Sequence, residues 1–554
     1  MSEMINYFPS NLNPPELPSS LRFDDHPHGK PYLDAGGVAL LAQEVLRRVP
    51  QPVDSLEIAA LLESMGITDE VGTRRYGARD TFDLAEAVLE QLKATGLHVR
   101  ANKSVNEPPQ PPRQVLSDYL RGPIALVPVV VLLLIIAAYR TLGHWGQSQV
   151  LALTLGMTGS MLITNGFIQA VSRRGAIYLS RANPGAASQF FRMTMSVAGA
   201  CIVVVACLIV FLTTRLGLFT PEDGFIFGLA FIGLSAMWLM SAVLSLIQAP
   251  AWLAVGLGAG LIAGLSVDLI VTPFSDAHLL AGTVVGFTVA MGLMWRAARQ
   301  ALNAMGTGVR PGRVVLPPIA YIVHEGMPYF SYGSLYMVFI MLPHVLGWIG
   351  TLSGFQDRMW AMSSLEVALT LALAPIILAG GIAEHAARLF WDRALVAQST
   401  TPGDEPGKFG HSLAKFYWQQ LRVYLAILAA ASLLTYAGFQ ITLSTGLLES
   451  WLNLSGLEAL AFIFRASLIA YYLLGWGLFN CMFSVTLARP ELALQAVKLG
   501  MIVTIVVGVP LTLGVNFSYA AVAFIVGALA FVIASAWAIL TLIKSADYYY
   551  YASF

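Results

Sequence analysis

The chain has 554 residues, 56% of them hydrophobic and only 12% charged, with a formal net charge of zero. Soluble domains carry about 25% charged residues, so half the usual charge is missing; this excludes an ordinary water-soluble protein and places the chain in the membrane class. The neutral balance leaves no electrostatic footprint for nucleic acid, and the three cysteines, Cys201, Cys207 and Cys481, lie in apolar runs as packing residues rather than as a disulfide or metal set.

Residues 1–33 are polar, with Pro9, Pro14, Pro15 and Pro18 scattered among them and no signal-peptide pattern. They read as a disordered segment. Residues 34–104 read as a small cytoplasmic helical domain. Val38 to Val49 has amphipathic spacing, Asp54 or Ser55 caps a helix that Gly66 stops, and Asp80 or Thr81 caps another. Residues 105–120 form a proline-rich linker.

From residue 121 onward, apolar runs of about 20 residues recur, each long enough to cross a bilayer as a helix. They fall near 122–142, 148–171, 192–214, 224–248, 250–272, 278–301, 315–347, 364–389, 416–441, 458–486, 492–515 and 518–543. The expected fold is an all-α polytopic membrane protein of about twelve transmembrane helices in two six-helix lobes, 121–305 and 306–554. Basic residues gather in alternate connections. Arg173, Arg174, Arg181 and Arg192 follow the second span, and Arg296, Arg299, Arg310 and Arg313 follow the sixth. Arg388, Arg393, Lys408, Lys415 and Arg422 follow the eighth. The positive-inside rule then puts both termini in the cytoplasm.

The seventh run holds the densest polar pattern. Pro317 and Pro318 open it, Gly326 and Pro328 interrupt it, and Pro343 ends it. Glu325, Tyr329, Tyr332 and Tyr336 stand at i, i+4, i+7 and i+11, which puts a carboxyl group and three phenols on one helical face. A polar stripe at membrane depth is tolerated only against protein or water, so this face reads as one wall of a transport path. The second run adds Thr154, Thr158, Asn165 and Gln169 on one face. The tenth carries Arg465 near its outer end, with Tyr472, Trp476 and Asn480 at i+7, i+11 and i+15. A charge at the bilayer centre costs about 2.5–3.5 kcal/mol, so Glu325 and Arg465 must be paired or solvated. The alternatives are a structural ion pair between helices or, for Arg465, snorkelling to the outer surface. As a set these groups suit a sugar-containing anion, with Arg465 holding a phosphate or carboxylate and Glu325 exchanging a proton.

The sequence has no Walker motif, and the HEG at 324–326 lacks a second histidine at i+4. Glu384-His385 is the one acidic–histidine pair that an enzyme of a membrane face would use, and with Arg388 it reads instead as a solvated helix end. No enzyme activity, cofactor or metal is expected. GLGAG at 256–260 reads as close helix packing.

Several segments resemble the Pel exopolysaccharide transporter family, the PelG-like branch of the MATE/polysaccharide-flippase (MOP) superfamily. They are WLMSAVLSLIQAPAWLAVGLGAG (238–260), MWAMSSLEVALTLAL (359–373), ARLFWDRA (387–394), KFYWQQL (415–421) and the terminal KSADYYYYASF. The resemblance covers roughly 121–554. It implies two six-helix lobes in a V, alternating access, and export of a saccharide or lipid-linked saccharide across the bacterial cytoplasmic membrane. It also implies a cytoplasmic glycosyltransferase and membrane scaffold proteins as partners, with the N-terminal domain as a docking module. Two other readings stand beside it. One is ion-coupled efflux of small amphipathic cations with Glu325 and Asp268 as ion sites. The other is a non-transporting scaffold that recruits a cytoplasmic partner.

Overall fold

The computed structural model describes residues 35–48, 52, 54–94, 147–180, 184–247, 249, 251–271, 278–306, 318–350, 355–401, 406–446, 457–545 and 548. The expected first span, 122–142, the linker and the terminal segment 1–33 lie outside the described residues. Among the described residues there are fifteen α-helices and no strand. The chain divides into two compact units, residues 1–106 with 399–405, and residues 107–398 with 406–554.

In the first unit α1 (Ala35–Arg48), α2 (Ser55–Ser64), α3 (Asp69–Val71) and α4 (Thr81–Ala94) enclose a small core. Val45, Ile58, Leu62, Leu84, Val88 and Leu92 are fully buried in it. Asp54 caps α2, its Oδ1 accepting from the Glu57 amide at 2.8 Å, and Gly66 ends that segment at φ +81°, a left-handed conformation that suits glycine. A π turn, Gly72–Tyr76, prolongs α3. Asp69 Oδ1 accepts from the Thr81 amide at 2.8 Å and from its hydroxyl at 2.7 Å, tying α3 to the start of α4. These two donors hold the Asp69 carboxyl below the usual carboxylate range.

The second unit contains α5 (Gln147–Ser180), α6 (Pro184–Arg215), α7 (Pro221–Leu246), α8 (Ala251–Val271) and α9 (His278–Gly306). It continues with α10 (Ile319–Ile349), α11 (Phe355–Thr400), α12 (Pro406–Ser444), α13 (Leu457–Thr486), α14 (Pro490–Gly514) and α15 (Ala520–Lys544). All eleven are long and apolar enough to cross a membrane, and they fall where the second to twelfth runs were expected. Their starts follow ordinary rules. Thr220 and Asp223 form a reciprocal capping box before α7, with Pro221 in its first turn, and Pro490 opens α14.

Inside a bilayer, lipid tails are as apolar as leucine, so close packing rather than water exclusion holds helices together. Helices α8 and α9 meet backbone to backbone, and a Cβ at Gly260 would sit 2.5 Å from the Gly286 carbonyl oxygen. Helices α14 and α15 meet likewise through Gly500 and Gly527, and Phe339 of α10 sets its ring edge-on to Phe524 and Phe531 of α15 at 5.5 and 5.6 Å. Outward faces stay apolar, as at Ile262, Leu269, Leu433 and Leu434, which suits contact with lipid.

Two expectations are corrected. Helix α10 begins after Pro318 as foreseen, but it runs unbroken through Gly326, Pro328 and Pro343 to Ile349. Proline removes one backbone donor, and packing on neighbouring helices tolerates that loss in a membrane bundle. The basic groups assigned to connections are also helical. Arg173 and Arg174 lie on α5, Arg192 on α6, Arg296 and Arg299 on α9, and Lys415 on α12. A helix of 34 residues such as α5 is about 50 Å long, well beyond a hydrocarbon core of about 30 Å, so its charged end is helix rather than loop.

Candidate functional site

Helices α5 and α10 run antiparallel and pack against each other over the half of the bundle that carries Arg173 and Arg174, the basic end. This seam joins the α5–α9 group to the α10–α15 group. At its inner limit Gly333 lies on α5, where Asn165 Nδ2 donates to the Gly333 carbonyl at 3.1 Å. A Cβ at Gly333 would lie 2.6 Å from Gln169 Cγ and 2.7 Å from the Asn165 carbonyl oxygen, so only glycine permits this approach. Phe167 meets Phe330 edge-on at 5.0 Å, and Ile322 of α10 is buried in the core of the α5–α9 group.

Toward the basic end the seam becomes ionic. Arg174 of α5 forms an ion pair with Glu325 of α10; the arginine side chain is 9% exposed and the carboxylate 39%. The guanidinium also covers the Tyr321 ring at 5.2 Å, and its Nε has no hydrogen-bond partner among the described residues. Arg173 covers the Tyr329 ring at 5.8 Å, and Glu491, in the first turn of α14, lies within electrostatic range of Tyr329. A buried guanidinium without its carboxylate is costly, so Arg174 and Glu325 hold the two groups together.

The four-residue stripe of α10 does not face a single space. Glu325 and Tyr329 face α5. Tyr332 is buried in the core of the second group, with Cys481 of α13 beside it, and it stacks on Tyr336 with centroids 6.2 Å apart. The same helical face meets two different neighbours along its length, which spacing alone does not reveal. Asn165 and Gln169 join Glu325 and Tyr329 at the seam. Arg465 does not, for it lies eight residues into α13 from Leu457, near the end opposite the basic one. It shares an exposed stripe with Phe462 and Ile469. The expectation that Glu325 and Arg465 share one vestibule is thereby corrected, because the two sit at opposite ends of antiparallel helices. Tyr472 packs with Trp476 against the α11–α12–α13 aromatic core. Asn480 is fully buried, accepting from the Tyr417 hydroxyl at 2.7 Å and donating to Ser535 at 3.1 Å. Asp268 packs beside Gly282 in the α8–α9 contact. Glu384 is exposed and His385 buried.

Arg174 escaped the sequence reading because it looked like one charge in a basic loop. A second pairing was also missed, although Glu366 itself stands out on the polar face of the eighth run with Thr370 and Glu384. His344 of α10 and Glu366 of α11 meet at 2.7 Å, and the Trp348 indole donates to the other Glu366 oxygen at 3.0 Å. These residues lie 22 positions apart across a helix connection, and no spacing rule joins them. Among the described residues no cluster of ligands suits a metal ion.

No family model and no curated protein matches the sequence. Solved structures do match. A Vibrio cholerae MATE transporter superposes with a TM-score of 0.56 at 14% identity, over 79% of this chain and 98% of its own. A eukaryotic MATE transporter gives 0.51 at 12% identity, over 80% and 99%. A MOP-superfamily transporter from Pyrococcus furiosus gives 0.50 at 12% identity, over 78% and 96%. The fold of this multi-pass membrane protein is that of the MATE transporters of the MOP superfamily.

Proposed function

We propose that the protein is an alternating-access transporter that exports an anionic saccharide-containing substrate, such as a lipid-linked saccharide, across the bacterial cytoplasmic membrane. The α5–α10 seam is its inner gate, and the basic end and both termini face the cytoplasm. The observation that carries this reading is that polar groups of the two lobes satisfy one another across the seam. When the seam opens, Asn165, Tyr329, Arg173, Arg174 and Glu325 lose their partners together, and Gln169 is uncovered beside them. They then offer an arriving cargo amides, an aromatic face and two guanidinium groups. Amides and phenols suit sugar hydroxyls, and guanidinium pairs suit phosphate or carboxylate. Cargo bound there replaces the inter-lobe contacts and so lowers the cost of opening. Arg465, exposed near the outer end, receives the anionic group there. A cytoplasmic glycosyltransferase supplies the cargo, with membrane scaffold proteins beside it, as in the PelG-like systems that the sequence resembles.

The test is flux of a fluorescent lipid-linked saccharide in proteoliposomes. Arg174→Ala should lower it at least tenfold with protein level and thermal stability near those of the parent. Unchanged flux would remove the proposed site. The MATE fold also supports a second reading, efflux of small amphipathic cations with Glu325 and Asp268 as ion sites. In that case a panel of organic cations is transported and the saccharide is not.

A further inference from the structure

Helix α12 is longer than a membrane requires. Its 39 residues extend about 58 Å, nearly twice a hydrocarbon core of about 30 Å. The stretch 423–443 carries no charged residue and covers that core by itself, at about 32 Å. The turns before it, from Gly407 to Arg422, are of a different character. One face of them is buried, with Phe409, Leu413, Phe416, Tyr417 and Leu421 in a core shared with α11, α13 and α15. Phe416 meets Phe390 of α11 at 6.2 Å, and Tyr417 stands edge-on to Phe483 of α13 at 5.4 Å. A Cβ at Gly410 would lie 3.4 Å from the Ile543 carbonyl oxygen of α15. The extension is therefore a packed part of the bundle, and its outer face is held in one direction.

That outer face carries Lys408, His411, Lys415, Trp418 and Arg422, all exposed. The steps between them are 3, 4, 3 and 4 residues, so at about 100° per residue they fall within an arc of about 80°. The residues of α12, Pro406–Ser444, include no Asp or Glu, so no carboxylate of the helix itself neutralises the row. Trp418 stands in the middle, 46% exposed and edge-on to Tyr417 at 5.3 Å. Arg422 Nε donates to the Trp418 carbonyl at 3.2 Å, which draws the guanidinium along the row.

Depth decides what this row can meet. The headgroup layer on each side of a bilayer is about 5–8 Å thick, and Arg422 and Trp418 stand within it. Lys415, His411 and Lys408 precede Val423 by 8, 12 and 15 residues. They therefore stand about 12, 18 and 22 Å beyond the core, and a tilt of about 20° shortens this by only about 6%. Anionic lipid reaches one end of the row, and the rest faces water. A straight row of cations at this spacing is matched by a second helix laid alongside, with carboxylates at the same spacing. Trp and Arg are the side chains that most often anchor such contacts.

We propose that the α12 extension is a docking surface for an acidic amphipathic helix of a partner protein. Carboxylates of that helix face His411 and Lys415, and one of its apolar side chains covers Trp418. The surface follows from α12 and the helices that support it, and does not rest on the transporter reading.

The experiment uses the full chain in nanodiscs of neutral phosphatidylcholine at about 0.15 M salt. The probes are two fluorescent helical peptides of equal composition, followed by anisotropy. One carries glutamates at the 3-4 spacing on a single face; the other spreads the same glutamates around the helix. The one-faced peptide should bind at least tenfold more tightly than the spread one. Trp418→Ala, and the double variant His411→Glu with Lys415→Glu, should each weaken it at least tenfold. A peptide with lysines in place of the facing glutamates should bind the double variant and not the parent, which also shows that the variant is folded. Equal binding of the one-faced and spread peptides, or unchanged affinity in the double variant, overturns the proposal. So does a phosphatidylglycerol nanodisc that stabilises the parent over the double variant against heat and sheds the peptide, for the row then belongs to lipid headgroups.

Discussion

Replacing Gly333 by alanine should open the α5–α10 seam, the proposed inner gate. The new methyl group would lie 2.7 Å from the Asn165 carbonyl oxygen and 2.6 Å from Gln169 Cγ. The glutamine side chain can swing away, but the carbonyl belongs to the α5 backbone and cannot. To reach the ordinary contact distance of 3.4 Å the helices must separate by roughly 0.7 Å. That separation stretches the 3.1 Å bond between Asn165 and the Gly333 carbonyl and loosens the Phe167–Phe330 contact. Overpacking of this kind costs about 1–3 kcal/mol. The cost falls only on the closed seam, so it shifts the closed–open equilibrium by about 5- to 150-fold toward open. Spin labels at residues 192 and 415, in a background without the exposed Cys201 and Cys207, should show a larger population at long distance. Gly326→Ala is the control, because a Cβ there meets nothing within 4 Å. A Gly333→Ala distribution that matches the parent would refute the claim that steric fit at this glycine closes the gate.

Other outcomes follow from the same packing. Glu325→Gln leaves the Arg174 guanidinium, 9% exposed, without its carboxylate, so the closed seam should lose about 3 kcal/mol, visible as faster alkylation of a cysteine at Gln169. Asn480→Ala leaves the buried Tyr417 hydroxyl without its acceptor and should cost about 1–3 kcal/mol, read as a lower unfolding midpoint in detergent. Gly527→Ala drives a methyl group to 2.8 Å from the Gly500 carbonyl and into Thr504; it should destabilise α14–α15 by about 1–3 kcal/mol, and Thr504→Ala should rescue only part of that. The lowered Asp69 proton affinity gives stability that is present above the unfolded carboxyl value of about 3.9 and is lost as pH falls through the lower folded value. Acid unfolding of the first unit, followed by hydrogen exchange, should therefore shift to higher pH in Asp69→Ala.

Much of the architecture was legible in the residue pattern. Apolar runs of bilayer length have an unmistakable composition, and Asp54 and Gly66 mark helix ends through local chemistry. The path through α10 was misjudged because Gly326, Pro328 and Pro343 break helices in water, whereas neighbouring helices support them here. Asn165, Gln169, Glu325 and Tyr329 were picked out by helical spacing, and the structure brings them together. Spacing assigns residues to a face but not the face to a neighbour. It therefore placed Tyr332 beside Glu325's partners and could not show that Arg174 is one of them. The distance between Glu325 and Arg465 follows from antiparallel helix direction, which a single polar stripe does not encode. The His344–Glu366 pair is a product of tertiary contact alone.

The central claim is that the lobes must part at the α5–α10 seam for cargo to cross. The direct measurement replaces Phe167 and Phe330, whose rings stand 5.0 Å apart across that seam, by cysteines in a background without other reactive thiols. A short cleavable bis-thiol reagent then ties them in proteoliposomes while flux of the fluorescent lipid-linked saccharide is followed. Flux should stop when the tether forms and return when it is cleaved. Flux that continues at its untethered rate would contradict the account.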